Sequence, residues 1–268
     1  MIWTTRPRSD GPGGLALWQS GAGPALVLIH GVGLRAEAWA GVAPALAPHF
    51  TVHAVDMPGH GETAQGATVA LADYTRSVAA LIDALDGPVV VAGHSMGAMI
   101  ALDLAARMPG RIAGVAALNA IYRRDAAAAH AVRARAAALD GQGTADPGAT
   151  LARWFGAAPS GADAEAADAC ETWLRGADPA GYAAAYRVFA NADGPKDAAL
   201  TALSSPALFM TGGRDRNSTP DMSRAMAALA AKGRATVIAD AGHMMPMTHA
   251  PSIAAALIAA FASPGAAP

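Results

Sequence analysis

Short apolar segments alternate with segments of helical spacing along most of this chain, and this alternation limits the possible folds more than any other feature. The apolar runs predict buried strands, and several are followed by a segment whose apolar residues recur every three or four positions. Strands that alternate with helices form βαβ units and therefore a mostly parallel sheet. The predicted strands are Ala25 to His30, Phe50 to Val55, Val89 to Ala92, Ile112 to Leu118, Ala207 to Thr211 and Ala235 to Ala239.

The alternation stops in the middle of the chain. Between the strand that ends at Leu118 and the one that begins at Ala207, only Ala-rich helical patterns occur, separated by Gly and Pro. We therefore expect an α/β core made of residues 1–120 and 204–268, interrupted by a helical cap over residues 121–203. The predicted core helices are Glu37 to Ala47, Leu71 to Leu85, Met96 to Arg107, Pro220 to Lys232 and Pro251 to Ala262, and the predicted cap helices are Asp125 to Leu139, Ala149 to Phe155, Ala162 to Leu174 and Pro179 to Ala190.

Composition excludes several classes of protein. Of the 268 residues, 53% are hydrophobic and 15% charged, with a formal net charge of -2, which argues against disorder, nucleic-acid binding and a polybasic membrane patch. The apolar stretches are interrupted before they reach the ~18 residues of a membrane span. Arg6 and Arg8 precede a polar segment rather than an apolar run, so we expect no signal peptide and a cytoplasmic location.

The segment Gly93 to Gly97 reads Gly-His-Ser-Met-Gly, the form G-x-S-x-G, with Ser95 at its centre. It follows a predicted strand and opens a predicted helix, which is the context that this motif requires. In such a sharp turn the serine hydroxyl is exposed above the sheet, and a side chain at either flanking position would collide with neighbouring backbone. The sequence predicts that Ser95 is a nucleophile.

A serine nucleophile needs a base and an acid that orients the base, and both follow later strands. Asp215 closes the segment Thr-Gly-Gly-Arg-Asp after one predicted strand, and His243 follows the last one. This gives the chain order Ser, acid, His. Asp240 is a rival acid, but it lies close to His243 in sequence. The tip of the strand that ends at Leu118 offers no carboxylate, which favours Asp215.

The Gly-rich segment after the first predicted strand, His30-Gly-Val-Gly33, is a candidate oxyanion-hole loop. We expect the backbone N–H groups of Val32 and Met96 to stabilise the charge that develops in the transition state. The alternative is that this segment only connects a strand to a helix. Metal-ligand spacings and phosphate-binding Gly motifs do not occur, so neither a metal nor a cofactor is expected.

These motifs together resemble the α/β-hydrolase superfamily over nearly the whole chain. Within it, the sequence is most similar to small bacterial carboxylesterases and to 3-oxoadipate enol-lactonase-like hydrolases, on the cap segments Arg153-Trp154-Phe155 and Gly181-Tyr182. The resemblance implies a cofactor-independent serine hydrolase with a helical cap. Its substrate would be a small-molecule ester or lactone, cleaved through an acyl-enzyme on Ser95.

The candidate substrate-binding residues are Arg35, Trp154, Phe155 and Tyr182. Arg35 could contact a substrate carboxylate or could simply be an exposed residue at the start of a helix. The cap aromatics could line an acyl pocket or could hold the cap to the core. These aromatics are Trp154, Phe155, Trp173, Tyr182, Tyr186 and Phe189. Three other functions stay open: a carbon–carbon bond hydrolase, a cofactor-free perhydrolase and a hydrolase-like receptor for a small ligand.

Overall fold

An eight-stranded sheet forms the centre of the computed structural model, which describes residues 6–142 and 146–262. Its strand order is β1-β2-β4-β3-β5-β6-β7-β8; β2 pairs antiparallel with β1 and β4, and all other neighbours are parallel. The fold is therefore the predicted α/β-hydrolase fold. The strands are β1 (Ser9–Gly11), β2 (Leu15–Ser20), β3 (Ala25–Ile29), β4 (Thr51–Val55), β5 (Val89–His94), β6 (Ile112–Leu118), β7 (Ala207–Gly212) and β8 (Gly233–Ile238).

Both faces of the central strands are buried, which explains why their sequences are almost entirely apolar. On β5, Val89 and Val91 pack into one core cluster, whereas Val90 and Ala92 pack into another on the opposite face. Helices of the core flank these two faces. The α-helices of the described residues are α1 (Ala43–Leu46), α2 (Leu71–Ala84), α3 (Met96–Arg107), α4 (Ala126–Ala137), α5 (Gly148–Phe155), α6 (Ala162–Arg175), α7 (Pro179–Asn191), α8 (Asp197–Thr201), α9 (Pro220–Leu229), α10 (Met245–Thr248) and α11 (Ala250–Phe261).

Five helices, α4 to α8, lie between β6 and β7, in the segment that the sequence assigns to a cap. α4 packs against α7 and α5 against α6, while the short α8 contacts α3 and α9 of the core. The helical content was predicted, whereas the boundaries of a separate cap at residues 121 and 203 stay a prediction. Among the described residues, every helix is too short or too polar to cross a lipid bilayer.

Several parts of the core differ from the sequence prediction, among them the short α10, which was not predicted. β1 and β2 were not predicted, because they form by antiparallel pairing with each other and with β4, whose residues follow much later in the chain. The single helix predicted from Glu37 to Ala47 is instead a 3-10 turn at Ala36–Trp39 followed by α1. Gly41 and Pro44 lie inside that segment, and Pro cannot donate the hydrogen bond that would continue a helix.

Candidate active site

Ser95 occupies a strained turn between β5 and α3. Its backbone has φ 55° and ψ −116°, a conformation that residues with a side chain rarely adopt. A Cβ at Gly93 would lie 2.0 Å from the carbonyl oxygen of Gly97, and one at Gly97 would lie 2.3 Å from that of Ile29. Both flanking positions therefore have to be glycine, and the turn directs the Ser95 side chain into a cavity.

His243 lies within hydrogen-bonding distance of Ser95 and of Asp215. The His243 Nδ1 to Asp215 Oδ2 distance is 2.7 Å, and the His243 Nε2 to Ser95 Oγ distance is 3.2 Å. Because the carboxylate only accepts, Nδ1 carries the proton and donates to it. Nε2 is then free to accept a hydrogen bond from the serine hydroxyl. The loops after β5, β7 and β8 thus bring together the three residues that the sequence proposes as a triad.

The Asp215 carboxylate is held ionised by its neighbours. Burial raises its pKa, but charge on His243 and hydrogen bonds from His243, Asn119 and the Ser218 backbone more than offset this, and the pKa falls to about 2. Asn119 Nδ2 donates to Oδ2 at 2.8 Å, while the N–H groups of Asn217 and Ser218 donate to Oδ1 at 2.8 and 3.1 Å. An anion at this position favours the charged imidazolium that forms when His243 takes a proton.

Asn119 was not identified as a site residue from the sequence. It follows β6, is fully buried and has a positive φ of 51°. The available signal was its place at the tip of β6, where the sequence offers an amide and no carboxylate. Because the tips of β6 and β7 are adjacent, an amide at one can support a carboxylate at the other.

Two aromatic side chains lie against His243. The His94 ring donates from Nε2 to the backbone oxygen of His243 at 2.8 Å, which fixes the loop after β8. Burial lowers the pKa of His94 to about 3, helped by charge on His243. On the other side, the Trp154 ring from α5 stacks on the His243 ring, with centroids 6.4 Å apart and an interplanar angle of 24°.

The two proposed oxyanion donors lie on either side of Ser95. Met96 is the first residue of α3, so its N–H has no acceptor within the helix. In the turn after β3, the N–H of Gly33 donates to His60 Nε2 at 3.0 Å and the N–H of Leu34 donates to the Gly31 oxygen. The Val32 N–H has no acceptor within the described part of the chain, and Val32 lines the same cavity as Ser95.

A buried ion-pair network supports the turn after β3, and Arg35 belongs to it. Arg8 contacts Glu37 at 2.6 Å and Asp56 at 2.8 Å, while Arg35 Nε contacts the same Glu37 oxygen at 2.9 Å. Arg35 also lies 3.9 Å from Glu62, and it lines a different cavity from the one at Ser95. The structure therefore places Arg35 outside the lining of the Ser95 cavity, with its guanidinium held by these carboxylates, and its contact with substrate stays a prediction.

The cavity at Ser95 is narrow, with a volume of about 60 Å³. Trp154, Tyr182, Tyr186 and Phe189 line it, and all four are among the cap aromatics that could line an acyl pocket. Phe155 does not line it; Phe155 lines a second cavity, which Trp154 also lines. Trp173 instead packs in an apolar cluster with Leu34. The full lining is Val32, Ser95, Arg135, Arg153, Trp154, Tyr182, Tyr186, Phe189, Asn217 and His243.

Three residues of the cavity lining were not predicted from the sequence to bind substrate, namely Arg135, Arg153 and Asn217. The segment Arg153-Trp154-Phe155 supported the family resemblance without giving Arg153 a role, and the packing of α4 and α5 brings the two arginines to the cavity at Ser95. Within residues 6–142 and 146–262, no group of three or more His, Cys, Asp or Glu side chains is arranged to hold a metal ion.

Comparison with known proteins agrees with this geometry. The chain matches the model of the family described as "Alpha/beta hydrolase family" over residues 26–256, and it therefore belongs to that family of hydrolases. The resemblance found in the sequence is confirmed. The chain is 40% identical over 233 residues to the (E)-2-((N-methylformamido)methylene)succinate hydrolase of Acinetobacter baylyi, covering 86% of this chain and 88% of that one.

Other relatives carry different names. The chain is 35% identical over 247 residues to the pimeloyl-[acyl-carrier protein] methyl ester esterase of Stenotrophomonas maltophilia, covering 89% of this chain and 93% of the relative. Among solved structures, the enol-lactonase from Burkholderia xenovorans LB400 superposes with a TM-score of 0.81 at 25% identity, covering 94% of this chain and 98% of that one. The fold and the family are thus shared by hydrolases of several substrates.

Proposed function

We propose that this protein is a serine hydrolase that cleaves a carboxylic ester or lactone of a small molecule through an acyl-enzyme on Ser95. The observation that carries the proposal is the continuous hydrogen-bonded chain from Asp215 through His243 to Ser95, buried beside two backbone N–H donors. Each member has the partner that its role needs. The names of the relatives, an esterase and an enol-lactonase among them, support the same reaction class.

In the proposed mechanism, each step has its own residue. Ser95 Oγ attacks the carbonyl carbon while its proton passes to His243 Nε2, and the oxyanion accepts hydrogen bonds from the Val32 and Met96 amides. The carbon–oxygen bond to the leaving group breaks, and His243 returns the proton to that oxygen. A water molecule then attacks the acyl-enzyme, again giving a proton to His243, which passes it back to Ser95 Oγ as the carboxylic acid leaves.

The size of the cavity limits the acyl group. The free volume of about 60 Å³ beside Ser95 is too small for a long acyl chain, and Trp154 and Phe189 are part of its lining. A long fatty acyl chain would need α5 to move away from His243. We therefore expect short acyl groups to be the preferred substrates.

Amide cleavage is a second candidate function. It is favoured by the 40% identity to a relative whose name describes hydrolysis of an (N-methylformamido)methylene succinate. The same triad can attack an amide carbonyl, provided that His243 protonates the departing nitrogen. A pair of substrates that share one acyl group, one an ester and the other an N-methylamide, distinguishes the two functions by their kcat/KM values.

The first experiment compares wild type, Ser95→Ala and the control Ser77→Ala on p-nitrophenyl esters of increasing acyl length. Ser77 is a half-buried serine of α2 with no contact to the site. We expect turnover by wild type and Ser77→Ala, greatest for short chains, and its loss in Ser95→Ala by a factor on the order of 10³ or more. Full activity in Ser95→Ala would refute the proposal. A single burst of product without turnover would instead indicate a ligand receptor.

A further inference from the structure

We propose that Arg135 and Arg153 form a carboxylate-binding subsite within the Ser95 cavity, so that the substrate is a small acyl compound with a second, ionised carboxylate. The inference rests on the proposed function, because it specifies the substrate class of the same cavity. It starts from a charge imbalance. The cavity lining contains two guanidinium groups and no carboxylate.

The two arginines reach the cavity from different helices. Arg135 lies on α4 and Arg153 on α5, and both line the same cavity as Ser95 and His243. Neither forms an ion pair with a carboxylate of the described residues within 4.0 Å. By contrast, Arg8 and Arg35, near the turn after β3, are both paired with buried acids.

Each guanidinium keeps donors available for a ligand. Arg135 Nε donates to Tyr186 Oη at 3.1 Å, and Arg153 donates to the Ala149 oxygen and to Thr150 Oγ1 at 3.0 and 2.8 Å. A guanidinium has five N–H donors, so these bonds hold each group in place and use only part of its capacity. Arginine presents its remaining donors in a planar arrangement that matches a carboxylate.

The electrostatic state of the cavity favours an anion. Burial lowers the pKa of Arg153, and the charge of Arg135 lowers it further, while Tyr186 and Tyr182 act in the opposite direction. Arg135 is half-buried and Arg153 is exposed, and two cations that repel each other are stabilised by an anion that contacts both. A small cavity with Ser95 at one side and these arginines in its lining fits a short acyl group that ends in a carboxylate.

A purely structural role would look different. The bond from Arg135 to Tyr186 links α4 to α7, so this arginine could serve only to hold these helices together. That role predicts equal losses on charged and neutral substrates, together with lower stability. A carboxylate subsite predicts that the preference for charged over neutral substrates changes.

The test uses two esters of similar size and shape, monomethyl succinate and methyl levulinate, of which only the first is anionic. We compare wild type, Arg135→Met, Arg153→Met and the control Arg133→Met, an exposed arginine of α4 outside the cavity lining. Wild type is expected to prefer monomethyl succinate. The ratio of kcat/KM values should fall about 10- to 100-fold in each cavity variant, as for charge-assisted hydrogen bonds, and stay unchanged in Arg133→Met. An unchanged ratio in both cavity variants would overturn the subsite.

A binding measurement separates the subsite from the reaction. Calorimetric titration with succinate, and with neutral succinamide as control, requires no turnover. Succinate should bind wild type more tightly than succinamide does, and this difference should shrink in Arg135→Met and Arg153→Met. If neither ester is hydrolysed but succinate binding depends on the arginines, the proposed function fails and the subsite stands. If Ser95-dependent turnover occurs but succinate and succinamide bind alike, the subsite is wrong and the proposed function stands.

Discussion

Acidification to about pH 5 should lower the free energy of unfolding, because several histidines are buried in their neutral form. Burial lowers the pKa of His30 and of His94 to about 3, helped by charge on His60 and on His243 respectively. The His30 ring shows why protonation is unfavourable. Its Nδ1 donates a hydrogen bond to the Gly31 oxygen, and its Nε2 accepts one from the N–H of Met57 at 3.0 Å. A second proton would have to bind at Nε2, where it would face the N–H of Met57 and break that hydrogen bond.

The sign of the effect follows from proton linkage. In the unfolded chain each histidine binds a proton near pH 6.5, whereas in the folded protein His30 and His94 stay neutral down to about pH 3. Unfolding therefore takes up protons below pH 6.5. Stability is greatest above that value and falls as the pH decreases, by about 2 kcal/mol per histidine at pH 5. Together the two histidines contribute a loss of about 4 kcal/mol, a large part of the stability of a typical domain.

Acidic groups change the free energy of unfolding at a lower pH than histidines do, so the two contributions can be separated. The pKa of Asp215 is lowered from 3.8 to about 2, so the stability that this carboxylate contributes is present above pH 3.8 and is lost as the pH falls toward 2. The interval from about pH 6.5 to pH 5 therefore reports mainly on buried histidines. His53 and His60, whose pKa values are also lowered by burial, act in the same direction.

The assay is urea unfolding, followed by tryptophan fluorescence at several values between about pH 7.5 and pH 5. His94→Gln keeps a donor near the His243 oxygen and should show a shallower pH dependence than wild type. His130→Gln is the control, because that histidine is exposed on α4. A free energy of unfolding in wild type that does not change over this interval would refute the reasoning, whether or not the variants fold.

Three other substitutions test the packing around the site. Gly97→Ala places a Cβ 2.3 Å from a backbone oxygen of β3, so it should lower the free energy of unfolding by about 1–3 kcal/mol and remove most esterase activity. The control Gly110→Ala adds its Cβ in open space, so urea unfolding and ester assays should show neither change. Asn119→Ala removes a donor to Asp215, so kcat should fall about 10-fold and the acidic limb of the kcat profile should move to higher pH; an unaltered profile would contradict the role of this amide. Arg8→Met leaves two buried carboxylates without their cation and should cost about 3–5 kcal/mol in urea unfolding, and a loss below about 1 kcal/mol would show that the network is not stabilising.

The sequence determined the α/β fold and the three residues that meet at the site. Apolar strands such as β5 are recognised because both of their faces are buried. The turn at Ser95 is recognised because only glycine fits at Gly93 and Gly97. These are local requirements, and the chain order of Ser95, Asp215 and His243 then follows the order of the strands. The catalytic role of the three stays a proposal, but their hydrogen-bonded arrangement agrees with the prediction.

Only the tertiary structure decided what surrounds that arrangement. α4, which carries Arg135, reads as an Ala-rich helix without a clear apolar face, so its orientation depends on its packing against α7. Arg35 had the right position in sequence to contact substrate, yet Glu37 holds it elsewhere. Asn119 supports Asp215 because β6 and β7 are neighbours in the sheet. These contacts depend on which groups lie close together in space after folding. No local sequence pattern encodes that proximity, because it is set by the packing of helices and strands.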